Sequence, residues 1–250
     1  MEKISVVILT FNGEKYLEAC LSQISKIGDE IIIVDSGSSD NTISIAKKFT
    51  DKIFFHEFEN YGRQCRYAVS LTACKWVFVV DQDEILTDAL VDEIKYLKLT
   101  GFDCDGYYIK RDNYLFGKLI KHGGWGDDYV LRLFNKEKGE HTDNNFSVVK
   151  TEGMTKKLKH SIKHYPYDSV HEYLSKMHSY ANHSAKEMLS QNKTFKLRKL
   201  ILNPFGRFFK KYILEFGFLD GLHGFVLAVF SYYFVFLKYL RFWELKRNEK

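Results

Sequence analysis

Short apolar runs alternate with helical patterns along the first part of the chain. Ile4 to Leu9 is a β-branched run that ends at the turn-forming cluster Thr10-Phe11-Asn12-Gly13. From Glu14 to Ser25 the apolar positions Tyr16, Leu17, Cys20, Leu21 and Ile24 recur at helical spacing. Glu30 to Asp35 predicts a second strand. Ser36 to Asp40 predicts a turn whose Asp40 can cap a helix over residues 41–49. A third strand is expected over 52–56, a helix over 63–74, a fourth strand over 76–81 and a helix over 88–97. Strands and helices in this order make a parallel sheet of right-handed βαβ units. The first, second and fourth runs are almost wholly apolar, as strands covered on both faces must be. On such a sheet ligands bind beyond the carboxyl ends of the strands. The residues at those ends are Thr10 to Asn12, Asp35 to Ser39 and Asp81 to Glu84.

From residue 105 the pattern changes. Strand-like segments at 106–112, 115–120, 129–134 and 146–150 follow one another without helices between them, which predicts partly antiparallel pairing. Residues 168–189 read as one long helix. Beyond it, Phe225 to Leu237 carries no charge over thirteen residues, and extension back to Gly221 gives seventeen. That is the short limit for a membrane span.

The chain has 250 residues, 45% of them apolar and 28% charged, with two prolines. That composition excludes a disordered, collagen-like or multi-span chain and suits a buried core. The net charge of +5 is unevenly held. Residues 1–192 contain 25 Lys and Arg against 28 Asp and Glu, whereas residues 193–250 contain 12 against 4. A nucleic-acid binder basic throughout would not show this split, and none is expected as a partner. The division predicts a body over 1–192 and a basic, aromatic tail over 193–250. The basic and aromatic flanks at 207–212 and 238–243 suit a helix lying on an anionic membrane. A buried C-terminal helix or an oligomer contact is the alternative. Cys20, Cys65, Cys74 and Cys104 form no C-x-x-C pair and read as free thiols of a reducing compartment. The N-terminal apolar run is too short for a secretory leader, so a cytoplasmic location is expected.

Asp81-Gln82-Asp83 closes the fourth strand. Two carboxylates two residues apart on a turn can share one hard divalent cation with phosphate oxygens. An isolated D-x-D is usually a solvated turn, but this one stands on the same sheet edge as Asp35.

These segments together resemble family 2 glycosyltransferases of the GT-A fold. The residues that carry the resemblance are Ile4 to Asn12, Asp29 to Asp40 and Trp76 to Glu84, in that order and spacing. It extends through His122 to Phe134, Gly217 to Gly224 and Phe236 to Glu244, which are similar to the bacterial lipopolysaccharide core β-glucosyltransferase subgroup. The resemblance implies an α/β GT-A sheet with a smaller, partly antiparallel acceptor part and C-terminal helices. It implies that Thr10, Asn12 and Asp35 line a base and ribose pocket, where Asp35 can accept the imide N–H of uracil or simply hold its turn. It implies that Arg63 approaches the diphosphate and that Gly123 and Gly124 lie beside the donor sugar. Asp81 would contact the ribose, and with Asp83 it would hold Mg²⁺ or Mn²⁺, with His164 as a further ligand. Asp128, in Gly126-Asp127-Asp128, matches the family's catalytic carboxylate.

Two departures from the subgroup stand out. Phe146-Ser147-Val148 replaces a Val-His-Glu segment, and Cys65-Arg66 replaces a Lys-Asn pair. The expected activity is an inverting, metal-dependent transfer from a nucleotide-sugar, a UDP-sugar, to a glycan or lipid-linked acceptor at the cytoplasmic face of the membrane. The alternatives are a degenerate scaffold of the same fold and a nucleotidyltransferase. The latter lacks a basic residue in the loop after its first strand, where Thr10-Phe11-Asn12-Gly13-Glu14 stands.

Overall fold

The computed structural model describes residues 1–144 and 147–248. Its first compact unit comprises residues 1–111 and 128–164, and its second comprises 112–127 with the chain from 165 onward.

The first unit is built on β1 (Ile4–Thr10), β2 (Glu30–Asp35), β3 (Ile53–Phe55) and β4 (Trp76–Asp81), all parallel. The sheet order is β3-β2-β1-β4 and continues through β8 (Tyr129–Asn135), β6 (Gly106–Leu115), β11 (Thr155–Tyr167) and β5 (Glu84–Leu86). The pairs β4–β8, β8–β6 and β11–β5 are antiparallel. Because β2 lies on one side of β1 and β4 on the other, the connections part at β1. Such a switch point opens a crevice beyond the carboxyl ends of β1 and β4. A separate hairpin pairs β9 (Gly139–His141) with β10 (Val149–Thr151).

Alternation on β1 fills both faces of the sheet. Val6 and Ile8 join a core with Leu17, Leu21 and Ile24 of α1 (Glu14–Ile24) and with Leu90 and Ile94 of α4 (Asp88–Thr100). Val7 faces the opposite core with Val34, Val79 and Cys65 of α3 (Tyr61–Ser70). The buried positions of α1 are Leu17, Cys20, Leu21 and Ile24, the i, i+3, i+4, i+7 stripe of a helix on a sheet. Its neighbour α2 (Thr42–Ala46) is shorter than expected and begins where the Asp40 carboxylate accepts the Thr42 N–H at 3.0 Å. The third helix starts at Tyr61, two residues earlier than its pattern suggested, because Asn60 caps it by accepting the Arg63 N–H at 2.9 Å. The cysteines are all unpaired.

Three strands were not expected. β5 and β9 have three residues each. β11 buries only Leu158 and Ile162 along its lysine-rich first ten residues, four apart, so no two-residue alternation marks it. The strand expected over 146–150 is β10, which begins at Val149, and Phe146 lies outside the described residues.

The second unit contains β7 (Lys118–Leu119), which pairs with the end of β6. Its helices are α5 (Val170–Ser190), α6 (Leu197–Phe209), a π turn (Lys210–Leu214), a 3₁₀ turn (Gly217–Asp220) and α7 (Gly221–Asn248). Gly217 and Gly224 meet so closely that a Cβ on Gly224 would lie 1.8 Å from the Gly217 carbonyl oxygen. The buried Asp220 carboxylate accepts the backbone N–H groups of Lys121 and His122, the latter at 2.8 Å. Trp125, Tyr167, Tyr173 and Phe230 stack in series. Residues Gly217–Asn248 include a window of mean hydropathy 1.5, long and apolar enough to cross a membrane by length and composition. Packing does not break at residue 192: α5 lies along α7, with Tyr173 on Phe230 at 4.3 Å, so the helix assigned to the body joins the tail.

Candidate active site

Three loops at the carboxyl edge are laced together by polar side chains. Asp35, at the end of β2, is buried and accepts four hydrogen bonds: from the Thr10 hydroxyl at 2.8 Å, the Gly37 and Ser38 N–H groups at 2.8 Å each, and the Ser38 hydroxyl at 2.5 Å. It therefore holds its turn. Asn12, at φ 49°, donates its N–H to the Ser38 hydroxyl and accepts the Ser39 N–H on its side-chain oxygen. The Gln82 side chain accepts the Phe11 N–H at 2.9 Å and donates to the Phe11 carbonyl at 3.0 Å. The middle residue of Asp81-Gln82-Asp83 thus ties the loop after β4 to the loop after β1. A cavity of 600 Å³ opens beside Asp35, lined by Gly37, Ser38, Ile43 and Phe55. A larger one, of 1220 Å³, lies against Arg66, Tyr108 and the β9–β10 hairpin and contains none of the expected site residues.

Beneath the crevice runs a chain of ion pairs. Arg132 on β8 is 5% exposed; its Nη2 contacts Asp81 Oδ2 and lies 2.5 Å from Glu84 Oε1. Tyr61 donates its hydroxyl to Asp81 Oδ1 at 2.8 Å and accepts Arg132 Nη1 at 3.0 Å. Arg111 on β6 lies 3.5 Å from Glu84 Oε1 and reaches Asp128 Oδ2 through both Nη2 at 2.7 Å and Nε at 2.9 Å. Burial by itself would raise the Asp81 pKa, but the Arg132 charge and the hydrogen bonds from Tyr61 and Arg132 outweigh it and hold Asp81 below the ordinary range. Glu84 goes the other way: burial and the Asp81 charge push it up against the pull of Arg132.

The loop after β4 also turns Asp83 toward β11. The β5–β11 pairing sets His164 opposite Glu84 in register, and His164 Nε2 lies 3.8 Å from Asp83 Oδ1. A carboxylate oxygen and an imidazole nitrogen this close fit a divalent cation whose remaining positions go to phosphate oxygens and water. Arg132 and Tyr61 each engage one oxygen of Asp81. Among the described residues, no group of three or more metal-ligand side chains converges.

The other expected residues have partners of their own. Arg63 is half-exposed and pairs with Asp143 at 3.0 Å and with Glu59. Gly123 and Gly124 belong to the second unit, at φ 64° and 78°; Gly123 donates its N–H to the Glu215 carbonyl, and Gly124 faces Lys211 and the Glu215 carboxylate. Tyr61 and Arg111 were missed by sequence reasoning; Glu84 and Arg132 lay within the segments that carry the resemblance but were given no role. The available signal was charge where burial was expected, above all an arginine inside the apolar run Tyr129 to Phe134.

Comparison with known proteins gives the family. Residues 5–159 match the family model described as glycosyl transferase family 2. An uncharacterized glycosyltransferase of Rickettsia conorii is 28% identical, over 99% of this chain and 91% of its own length. The lipopolysaccharide core biosynthesis glycosyltransferase LpsC of Rhizobium meliloti is 25% identical, over 94% of this chain and 89% of its own. Among solved structures, glucosyl-3-phosphoglycerate synthase from Mycobacterium tuberculosis, in complex with Mn²⁺ and UDP-glucose, is 24% identical with a TM-score of 0.38, over 45% of this chain and 44% of that one.

Proposed function

The chain belongs to glycosyl transferase family 2 and is a glycosyltransferase; from that premise we propose that it performs an inverting, metal-dependent transfer of a hexose from UDP to a glycan or lipid-linked acceptor in cell-surface polysaccharide or lipopolysaccharide core assembly. The observation that carries this reading is the chain of ion pairs from Asp81 through Arg132, Glu84 and Arg111 to Asp128. It sets the candidate base and the candidate donor edge on one rigid frame. Arg111 grips one oxygen of Asp128 through two nitrogens, which anchors that oxygen.

In this mechanism Asp128 takes the proton from an acceptor hydroxyl as that oxygen attacks the anomeric carbon, on the face opposite the departing diphosphate. No covalent sugar intermediate forms, so one base suffices. The uracil ring enters the cavity beside Asp35, whose carboxylate Thr10 supports and whose Ser38–Ser39 turn Asn12 holds, and its imide N–H displaces the rotatable Ser38 hydroxyl from Asp35. Asp83 and His164 would hold Mg²⁺ or Mn²⁺. When bound, that ion supplies Lewis-acid stabilisation of the charge that builds on the leaving diphosphate. Asp81, held by Arg132 and Tyr61, shapes the edge beside the ribose. Family membership favours this reading over a nucleotidyltransferase. The work is assigned to the cytoplasmic face of an anionic membrane, reached through the basic segment 193–250.

Asp128→Asn tests the assignment. Transfer from a UDP-hexose should fall by on the order of 10²–10⁴-fold while UDP affinity stays the same. A native transfer rate in this variant removes Asp128 from the role of base. Transfer that persists in excess chelator removes the metal.

A further inference from the structure

The uncharged run Phe225 to Leu237 is the obvious membrane element by composition, yet the open apolar surface lies elsewhere. Within that run only Phe225 and Val229 count among the exposed large apolar residues. The rest is covered to varying degree: Tyr173 of α5 stacks on Phe230 at 4.3 Å, His178 meets Tyr233, and Phe205 of α6 meets Tyr232. By contrast Leu197, Ile201, Phe205 and Phe209 recur every fourth residue of α6, all more than half exposed, with Leu202 at 63% beside them. Residues four apart share one helix face. The open surface continues through Ile213, Leu214, Phe216, Phe218, Leu219 and Leu222. Apolar patches of this extent mark an interaction site.

Charge identifies the partner. Lys196, Arg198, Lys199, Arg207 and Lys210 are exposed in and around this stripe. The acids nearby are engaged: Glu215 pairs with Lys211 at 2.7 Å, and Asp220 is buried under backbone N–H groups. Glu215 also lies 3.6 Å from Lys210, which leaves Lys196, Arg198, Lys199 and Arg207 as the basic surplus; an apolar helix face edged in this way matches an anionic lipid surface.

We propose that α6, with the π and 3₁₀ turns that follow it, lies in the plane of an anionic phospholipid bilayer and inserts Leu202, Phe209 and their neighbours, and that α7 is the strut behind it rather than a span. This deepens the membrane reading given above and rests on it. The packing of α5 supplies the argument against a span. It carries Glu172, Lys176, Lys186 and Glu187 together with His171, His178 and His183. It lies along α7. If α7 crossed the hydrocarbon it would draw these polar groups in with it, and charged and imidazole side chains are costly there even when paired.

Flotation of the full chain on vesicles of phosphatidylglycerol and phosphatidylcholine tests the proposal. The Leu202→Glu/Phe209→Glu variant should bind roughly tenfold or more weakly. Lys199→Glu/Lys210→Glu should weaken binding by a similar factor, and high salt should release the native protein. Both variants change exposed side chains, and unchanged circular dichroism would verify their fold. Native binding by Leu202→Glu/Phe209→Glu overturns the assignment to α6 and leaves the membrane reading standing on α7. Native protein that floats on no vesicle overturns the membrane reading itself. A lipid-free dimer that the same variant converts to monomer, with vesicle binding unchanged, assigns the face to a second copy of this chain and overturns the proposal.

Discussion

Arg132 illustrates what a single buried charge does here. Asp81 and Glu84 both contact its guanidinium, and Glu84 is wholly buried. Arg132→Met would remove the guanidinium that both carboxylates share and leave Arg111, 3.5 Å from Glu84, as the nearest cation. Breaking a buried pair in this way costs about 3–5 kcal/mol, so denaturant melts should show a loss of that order. Recovery of part of it by adding Glu84→Gln would locate the penalty in carboxylate repulsion; a loss below about 1 kcal/mol would remove Arg132 from the frame. His141 is a second buried group. Burial, and then the Arg132 charge, hold its pKa down to about 4 against an ordinary 6.5. Below pH 6.5 the unfolded chain takes up a proton that the folded protein refuses until about pH 4. Stability therefore falls as pH drops through that window, by about 2 kcal/mol at pH 5. His141→Asn should flatten the dependence between pH 7 and pH 5 in urea midpoints; an unchanged slope assigns it to other groups. Neither residue was given a role from the sequence. Arg132 looked like part of a strand, and His141 was one histidine among nine.

At the scale of elements, the helices and strands of the first unit were readable because their burial is periodic. The stripe on α1 and the continuous runs of β1, β2 and β4 agree with the structure to within a residue or so. The connections between elements were less readable. Gln82 looked like a spacer between two carboxylates, whereas its amide holds the Phe11 backbone on both sides. That clasp needs a glycine at 13, where a Cβ would lie 2.2 Å from Gln82 Oε1. Gly13→Ala should expel the Gln82 side chain and loosen the donor edge. Two hydrogen bonds of ordinary strength are at stake, so UDP affinity should fall about tenfold in titration calorimetry with little change in melting temperature. Unchanged affinity would show that the clasp does not order the donor site. The strand β11 was missed for a related reason: its lysines face water, and its two deeply buried residues stand four apart.

At the scale of the whole molecule, charge and packing divide the chain differently. The excess of basic residues begins near 193, but the compact units part inside β6 and β11, and α5 belongs with the helices that follow it. Charge is a property of residue type and can be summed along the chain. Packing depends on which faces meet. The aromatic residues make the same point. Their abundance was evident from composition, but the series Trp125, Tyr167, Tyr173, Phe230 joins residues from three separate stretches of sequence. The vesicle experiment belongs to this scale, since it asks which face of the second unit is left for a partner.

By itself the sequence determined the alternating strands and helices, the parallel sheet and the polar residues at its carboxyl edge. Each follows from local periodicity and from strand runs apolar enough to be covered on both faces. The motif residues Asp83 and Asp128 were also visible, because they sit in short, ordered segments. Only the tertiary structure decided what those residues touch. Asp81 faces Arg132, 51 positions away; Asp83 faces His164 across the β5–β11 pair; and Arg111 holds Asp128. It also decided that the uncharged run of α7 is largely covered while the mixed segment before it is open. Both outcomes depend on contacts between residues remote in the chain, and no local pattern encodes them.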